Sequence, residues 1–333
     1  MTGTTEEPAD TGKAPPPAPG VLRTALRALA QRPGLSCVLA LRGTAWATLA
    51  GTVVLLLALA ATWPAFTEMQ QEADLARRQE DSYAPEADNI GELQLVAACA
   101  LPVLLGIAAF AFGVLHTAHS LAVTHVRPAA VGELWRRARR QAGRSAAVQA
   151  CRGVLVGGLA LAGALLWSLA DVVLPAAEPV LGYVLLGLLV PAVVVLRVGL
   201  ALAPAAAALE GLGATAALQR SWTLVRGAWW RTTVRVAPLA ALTVTAYLML
   251  RYAAEPADGA AHALAMAVSS GNTYFAYAVA QLAPVAVALS LSALLTLPFT
   301  HTALTVLYAR RCAERGESPG GVGIPGSTPP PAP

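Results

Sequence analysis

The sequence predicts an all-α membrane protein, a polytopic helical bundle of six transmembrane helices with amphipathic interfacial helices at its cytoplasmic face. Three observations predict this fold: the composition, six long apolar runs and a one-sided distribution of arginine. Of the 333 residues, 56% are hydrophobic and only 13% are charged, whereas soluble domains carry about 25% charged residues. A chain this apolar cannot hide its surface from water, but a lipid bilayer removes that requirement.

Six apolar runs are long enough to cross a bilayer, whose hydrocarbon core of roughly 30 Å needs about 20 helical residues. They lie at 44–64, 94–116, 153–174, 181–203, 234–252 and 279–308. Helices are predicted rather than strands because of this length and the richness in Leu, Ala and Val, and because only helices or closed barrels span lipid. The last run is overlong and contains Pro284 and Pro298, which predicts a tilt or a kink.

The runs define a six-span membrane domain over residues 21–312, flanked by two cytoplasmic tails. Residues 1–20 are rich in Pro and Thr, and residues 313–333 are rich in Pro and Gly. Both compositions predict disorder, because neither segment has enough apolar residues to form a core. The first long apolar run begins near residue 44, which is too late for a signal peptide.

The basic residues orient the bundle. Nineteen of the 23 lysines and arginines fall in the segments on one side of the runs. Positive residues concentrate in cytoplasmic segments, so both termini are predicted to be cytoplasmic, with 65–92, 175–180 and 253–278 on the outer side. The 65–92 loop carries eight acidic residues and two arginines. It is interpreted as a solvated loop that contains a short helix, or as a surface that binds cations or a basic partner.

Three cytoplasmic segments repeat one spacing of aromatic and basic residues, with intervals of four and then five residues. The members are Arg23, Arg27 and Arg32; Trp135, Arg139 and Arg144; and Trp222, Arg226 and Arg231. On a helix these steps keep one stripe aligned, which predicts interfacial helices with arginines toward lipid phosphates and Trp or Leu toward acyl chains. The bundle is then a threefold repeat of an interfacial helix and a transmembrane hairpin, unless the spacing is a coincidence of arginine-rich loops.

Residues 204–231 carry the sequence PAAAALEGLGATAALQRSWTLVRGAWWR. It resembles a motif of bacterial multi-pass proteins, and the matching positions are Pro204, Glu210, Gly211, Ala217, Leu218, Ser221, Leu224, Gly227 and Trp229. VGELWRRARRQAGR at 131–144 resembles an earlier copy of the same motif. The family is the membrane domain of glycerophosphoryl diester phosphodiesterases, with the related YciC-like inner-membrane proteins, and it is frequent in actinobacteria. The resemblance covers roughly residues 20–312.

The resemblance implies a membrane module without catalytic activity. In that family the phosphodiesterase chemistry belongs to a separate soluble barrel, typically of about 250 residues. The His-Arg-Gly start of that barrel does not occur in this sequence, and the acidic ligands that a metal-dependent phosphodiesterase needs are not evident. We therefore expect the membrane module alone.

Metal and cofactor sites are not predicted. Lys13 is the only lysine and lies in the Pro-rich tail, which excludes a P-loop and a Schiff-base enzyme. His116 and His119 are three residues apart and could share a metal ion on one helical face, but no third ligand is evident. The four cysteines have no metal-ligand spacing and are interpreted as small apolar residues.

Arg197 lies within the predicted fourth span, about 9 Å from its inner end at 1.5 Å per residue. One hypothesis places it in a polar cluster open to the cytoplasm, together with His301 and His116, which fall at a similar level. Glu210 is the natural counter-ion, provided that the chain breaks at Pro204 and folds back. The alternative is an arginine that reaches lipid phosphates by snorkelling.

Three classes of function remain open, and the leading one is a non-enzymatic protein of the cytoplasmic membrane that organises lipids or partner proteins. The alternative is a transporter or permease component without its own ATPase, and the third is an intramembrane enzyme that acts on lipid. The spans are poor in mid-membrane polar residues, which favours the first class. The predicted partners are the bilayer, anionic lipids at the cytoplasmic face and a membrane protein. Nucleic acid is not predicted despite the net charge of +4, because the basic residues lie beside the membrane.

Overall fold

The computed structural model describes residues 20–79, 87–124, 130–173 and 178–317, and these residues form twelve α-helices. Six are long: α2 (Pro33–Ala61), α4 (Ala87–Thr124), α6 (Ala142–Val173), α7 (Glu178–Gly199), α10 (Trp229–Ala253) and α12 (Thr273–Ala313). Six are shorter: α1 (Val21–Gln31), α3 (Trp63–Arg78), α5 (Val131–Arg140), α8 (Ala203–Glu210), α9 (Ala214–Arg226) and α11 (Ala257–Val268). The disorder predicted for 1–20 and 313–333 falls mostly outside the described ranges. Residues 313–317 are described, and there Ala313 ends α12 and Glu317 pairs with Arg220.

The long helices bear out the prediction of a helical membrane bundle. Six helical stretches of the described chain are long and apolar enough to cross a membrane, and the fourth continues from α7 into α8 as far as Glu210. Their large apolar side chains are exposed along much of their length; Leu49, Leu165 and Leu295, for example, are each at least 60% exposed. Such a surface is stable in lipid, where no water has to order around it.

The helices extend beyond the apolar runs that predicted them. Helix α2 begins at Pro33 rather than near 44, and α6 begins at Ala142 rather than near 153. Hydropathy marks only the part of a helix that lies in hydrocarbon, whereas the backbone hydrogen bonds continue into less apolar sequence where packing against other helices offsets the entropy of ordering the chain. The overlong last run forms one helix of 41 residues that contains both Pro284 and Pro298.

Short helices form in the three segments with repeated spacing, but each spacing spans two helices. The helical run is interrupted at Arg32, at Gln141 and at Gly227, so the third member of each set lies at or beyond the break. The single aligned stripe predicted for each segment is therefore wrong. The stripe is interrupted because the chain turns between a short helix and the long helix that follows it. Helix α2, for instance, starts with Pro33, a residue that favours a helix N-terminus.

The packed core lies at one end of the bundle, where the chain places α1, α5, α8 and α9. One cluster of buried residues joins α1, α8 and α9 to the C-terminal part of α12. A second cluster packs Leu134 and Ala138 of α5 against Leu39 of α2 and Ala118 of α4. We call this the basic end, because the short helices α1, α5 and α9 there carry eight arginines.

The opposite end is held by α3 and α11. The helix predicted within 65–92 is observed as α3, and its Phe66 carbonyl accepts a hydrogen bond from the Asn272 amide at 2.8 Å. Gln70 of α3 accepts a hydrogen bond from the Thr273 hydroxyl at 2.6 Å. These contacts tie α3 to the beginning of α12, so the two ends of α12 pack on different sets of short helices.

Candidate functional site

The motif at 204–231 follows a turn between α7 and α8, and hydrogen bonds hold α9 against that turn. Residues 200–202 are turns, and the buried Ser221 hydroxyl of α9 donates to the Gly199 carbonyl at 2.7 Å. The same oxygen accepts a hydrogen bond from the Leu202 N–H at 3.1 Å. The Trp222 ring lies on Gly199 so closely that an added Cβ there would come within 2.4 Å of it. The serine of the motif therefore satisfies backbone groups that the break in the helix leaves without an intrahelical partner.

Glu210 ends α8 and is the centre of a network at the basic end. It lies 3.4 Å from the Arg220 guanidinium and accepts a hydrogen bond from the buried Tyr308 hydroxyl. Arg220 also pairs with Glu317, which follows α12. The guanidinium lowers the pKa of the Glu317 carboxyl, and Glu317 in turn raises the pKa of Arg220 above its ordinary value. The network ties α8 and α9 to the end of α12.

The backbone conformation of Gly211 explains why a glycine follows Glu210 in the motif. It has a φ of +68°, a left-handed conformation that glycine adopts without strain. Its carbonyl accepts a hydrogen bond from the Arg144 guanidinium at 3.2 Å. This bond joins the beginning of α6 to the α8–α9 connection, so Arg144 is a structural contact as well as an exposed charge.

The structure brings together two of the four residues in the predicted polar cluster. The His116 and His301 ring centroids are 4.8 Å apart, and both side chains are buried. Arg197 is exposed, and no hydrogen bond or ion pair joins it to His116, His301 or Glu210 within the described residues. Its electrostatic neighbour is Arg152 of α6, and the carboxylate of Glu210 is engaged by Arg220 and Tyr308 instead.

The sequence-based cluster omits three groups that belong to the same layer. The His119 ring centroid is 5.8 Å from that of His301, because a spacing of three residues puts His119 on the same side of α4 as His116. The Ser120 and Thr305 hydroxyls are hydrogen-bonded at 2.8 Å. Arg152 lies close enough to interact electrostatically with His116 and His301. We call this set of α4, α6 and α12 residues the polar layer.

Several atoms of the polar layer have no hydrogen-bond partner within the described residues. They are both ring nitrogens of His116, Nε2 of His119, Nδ1 of His301 and the Thr302 hydroxyl. Buried polar groups are nearly always hydrogen-bonded, so the layer has capacity to bind a polar group. The nearby positive charge of Arg152 opposes a cation, and no three His, Cys, Asp or Glu side chains of the described ranges are arranged to hold a metal ion.

The arginines of the spacing repeat form an exposed face at the basic end. Arg23, Arg27, Arg139, Arg144, Arg226 and Arg231 are exposed, while Arg32 and Trp135 are half-buried. Trp222 is 40% exposed, and the Arg42 guanidinium stacks 5.4 Å from the Trp135 ring centroid. Glu133 pairs with Arg136 and Arg137, and the Arg137 hydrogen bond lowers the pKa of that carboxyl.

No protein-family model matches the chain, and no curated protein or solved structure shows significant similarity to it.

Proposed function

We propose that this chain is a non-enzymatic protein of the cytoplasmic membrane that binds anionic phospholipids at its basic end and organises them there. Both termini are cytoplasmic in this proposal, which places the exposed arginines at the inner leaflet. The proposal retains the resemblance to the glycerophosphodiesterase membrane domain and the YciC-like proteins, as a membrane module that acts without the catalytic barrel.

The exposed arginines on α1, α5 and α9 carry the proposal. In α5, Leu134 and Ala138 are buried in the bundle while Arg139 and Arg140 are exposed. Arginine near an anionic membrane surface contributes about 1 kcal/mol per residue. Lipid phosphates are the anions that such a face meets in a membrane, and exposed tryptophans such as Trp222 prefer the same interfacial region.

The proposal is tested by measuring which lipids surround the protein in bilayer discs of mixed anionic and zwitterionic phospholipid. The test variant replaces Arg23, Arg27, Arg139 and Arg226 with Gln, and the control variant replaces Arg77 and Arg78 at the opposite end. Each lost arginine should weaken the local preference by about fivefold. The anionic enrichment seen by lipid mass spectrometry should therefore fall in the test variant and persist in the control; an equal response of both variants would contradict the proposal.

A transporter or permease component without its own ATPase is the second candidate. The polar layer favours it, since buried ionisable residues inside a membrane bundle often mark substrate pathways. His116 and His301 would then contact a substrate, and a partner ATPase would co-purify with the chain from native membranes. The lipid-organising function does not require such a partner.

A further inference from the structure

A polar cavity of about 290 Å³ lies where α1, α2, α4 and α12 meet at the basic end. Its polar wall consists of Gln31, Arg32, Ser36, His119 and Thr302, and the rest of the wall is apolar. No acidic side chain of the described residues lines it. The cavity is therefore positively charged, and its volume is sufficient for a small polar group.

Two buried atoms on this wall have no hydrogen-bond partner within the described ranges: Nε2 of His119 and the hydroxyl of Thr302. Both side chains are only 1% exposed. Nδ1 of His119 donates to the Leu115 carbonyl at 2.8 Å, which orients the ring with Nε2 as its remaining position. The backbone of Ser36 also lies near the ring. Two unpaired atoms on one wall indicate that the cavity takes a polar ligand.

Arg32 supplies the charge of the cavity. It lies in the break between α1 and α2, and its guanidinium donates to the Ala122 carbonyl near the end of α4 at 3.4 Å. This contact holds the guanidinium at the cavity wall. With an arginine, a histidine and hydroxyl groups in one wall, and no carboxylate among its described residues, the wall has the donor set that recognises a phosphate.

A second cavity, of about 430 Å³ and almost wholly apolar, lies between α2, α4 and α12 on the membrane side of the first. Leu115 lines it, and the same residue accepts the hydrogen bond from His119. The two cavities are therefore about one turn apart along α4, or about 6 Å. On α2 the step from Ser36 to Gly43 is about 10 Å. The polar cavity lies nearer the basic end and the apolar cavity lies further from it. This order matches an amphiphile whose headgroup faces the basic end.

We propose that the polar cavity binds the phosphate-bearing headgroup of one anionic phospholipid, whose acyl chain occupies the apolar cavity. This inference rests on the proposed function and deepens it, because it assigns a defined site to the class of lipid that the exposed arginines attract. Arg32 neutralises the phosphate, while His119 and the Thr302 hydroxyl bind its oxygens or a headgroup hydroxyl. The exposed arginines hold lipids in exchange with the bilayer, whereas this site holds one molecule.

The test is native mass spectrometry of the full chain, delipidated in detergent and then titrated with phosphatidylglycerol. Phosphatidylcholine, glycerol phosphate and inorganic phosphate are the comparison ligands. The first variant is Thr302→Val, which keeps the shape of the side chain and removes a hydroxyl that has no protein partner. The second is Arg32→Gln. The matched control is Arg78→Gln, an exposed arginine of α3 that does not line the cavity and lies outside the basic end.

We expect one phosphatidylglycerol per chain in the wild type and in Arg78→Gln, and about tenfold weaker binding in each cavity variant. Thr302→Val should unfold at the same or a higher temperature than the wild type without lipid, because it loses only an unpaired hydroxyl. Equal binding by all variants, or equal binding of phosphatidylcholine, would overturn the site. Equal affinity for glycerol phosphate and the lipid would overturn the role of the apolar cavity. Unchanged lipid enrichment in the bilayer-disc experiment would instead overturn the proposed function.

Discussion

The close approach of α4 to α6 at Gly113 makes a quantitative prediction. A Cβ added at Gly113 would lie 2.7 Å from the Ser145 carbonyl carbon and 2.8 Å from the Ala146 nitrogen. Both atoms belong to the α6 backbone, so no side-chain rotation can relieve the overlap. Ordinary van der Waals contact begins at 3.4 Å, and α6 would therefore have to move by about 0.6–0.7 Å.

We predict that Gly113→Ala destabilises the protein whereas Gly106→Ala does not. Overpacking at Gly113 should cost about 1–3 kcal/mol, offset by up to about 1 kcal/mol from the better helix propensity of alanine. Gly106 is on the same helix and has no neighbouring atom within 4 Å of an added Cβ. The Gly106→Ala variant should therefore gain only the stability that comes from the better helix propensity of alanine. The difference between the variants isolates the packing term, and thermal unfolding in detergent measures it.

The displacement of α6 has a second consequence that the same variants can reveal. The Thr117 hydroxyl is hydrogen-bonded to the Gly113 carbonyl at 2.9 Å and to the Ser145 hydroxyl at 2.7 Å. A shift of α6 would lengthen the Thr117–Ser145 bond, and Thr117→Val should then cost less stability in the Gly113→Ala background than in the wild type. Equal unfolding temperatures for Gly113→Ala and Gly106→Ala would refute the close approach of the two helices.

Two further predictions concern the lock at the α7–α8 break and the topology. Ser221→Ala should lower the free energy of unfolding by about 2–3 kcal/mol, since the buried Leu202 N–H loses its hydrogen-bond partner. The control is Thr223→Ala, which removes an exposed local hydrogen bond in the same helix and should change the free energy of unfolding by less than about 0.5 kcal/mol. In a chain without its native cysteines, Gln79→Cys and Arg140→Cys should react with a membrane-impermeant thiol reagent from opposite sides of the membrane, and labelling of both from one side would contradict the six-span topology.

Hydropathy predicts the long helices well because crossing lipid demands a nearly unbroken apolar run. It does not predict where those helices end, since a helix continues in the polar region wherever neighbouring elements support it. Ala142 and Gly143 begin α6 in a segment that hydropathy assigns to a loop. Their helical state depends on packing of Ala142 against Leu134 and Ala138, a tertiary contact that no local pattern encodes.

The partners of the polar residues were less predictable than the helices. Glu210 and Arg220 are ten residues apart, and their pairing depends on the left-handed turn at Gly211. Tyr308 and Glu317 complete the network from the far end of the chain. The Glu-Gly step was a usable signal, because it marks a helix end with a charge beside it. The identity of the partners required the three-dimensional packing of α8, α9 and α12.

The level of the polar layer along the bundle favours one of the two proposed functions. Helix α4 has 38 residues and α12 has 41, so each is about 57–62 Å long, twice the roughly 30 Å of the hydrocarbon core. The last large apolar side chains that they expose are Phe112 and Leu295. His116 and His301 follow these by four and six residues.

The exposed apolar part of each helix thus ends before its histidine, and the continuous buried section begins at Gly113 in α4 and at His301 in α12. The polar layer, and the cavity at His119 further along α4, therefore lie nearer the basic end than the exposed apolar side chains of these helices. Transporter sites characteristically lie near the bilayer midplane, where α4 and α12 instead expose apolar side chains. We infer that a polar site nearer the basic end than those apolar side chains is suited to hold a lipid by its phosphate, which favours the lipid-binding function over transport.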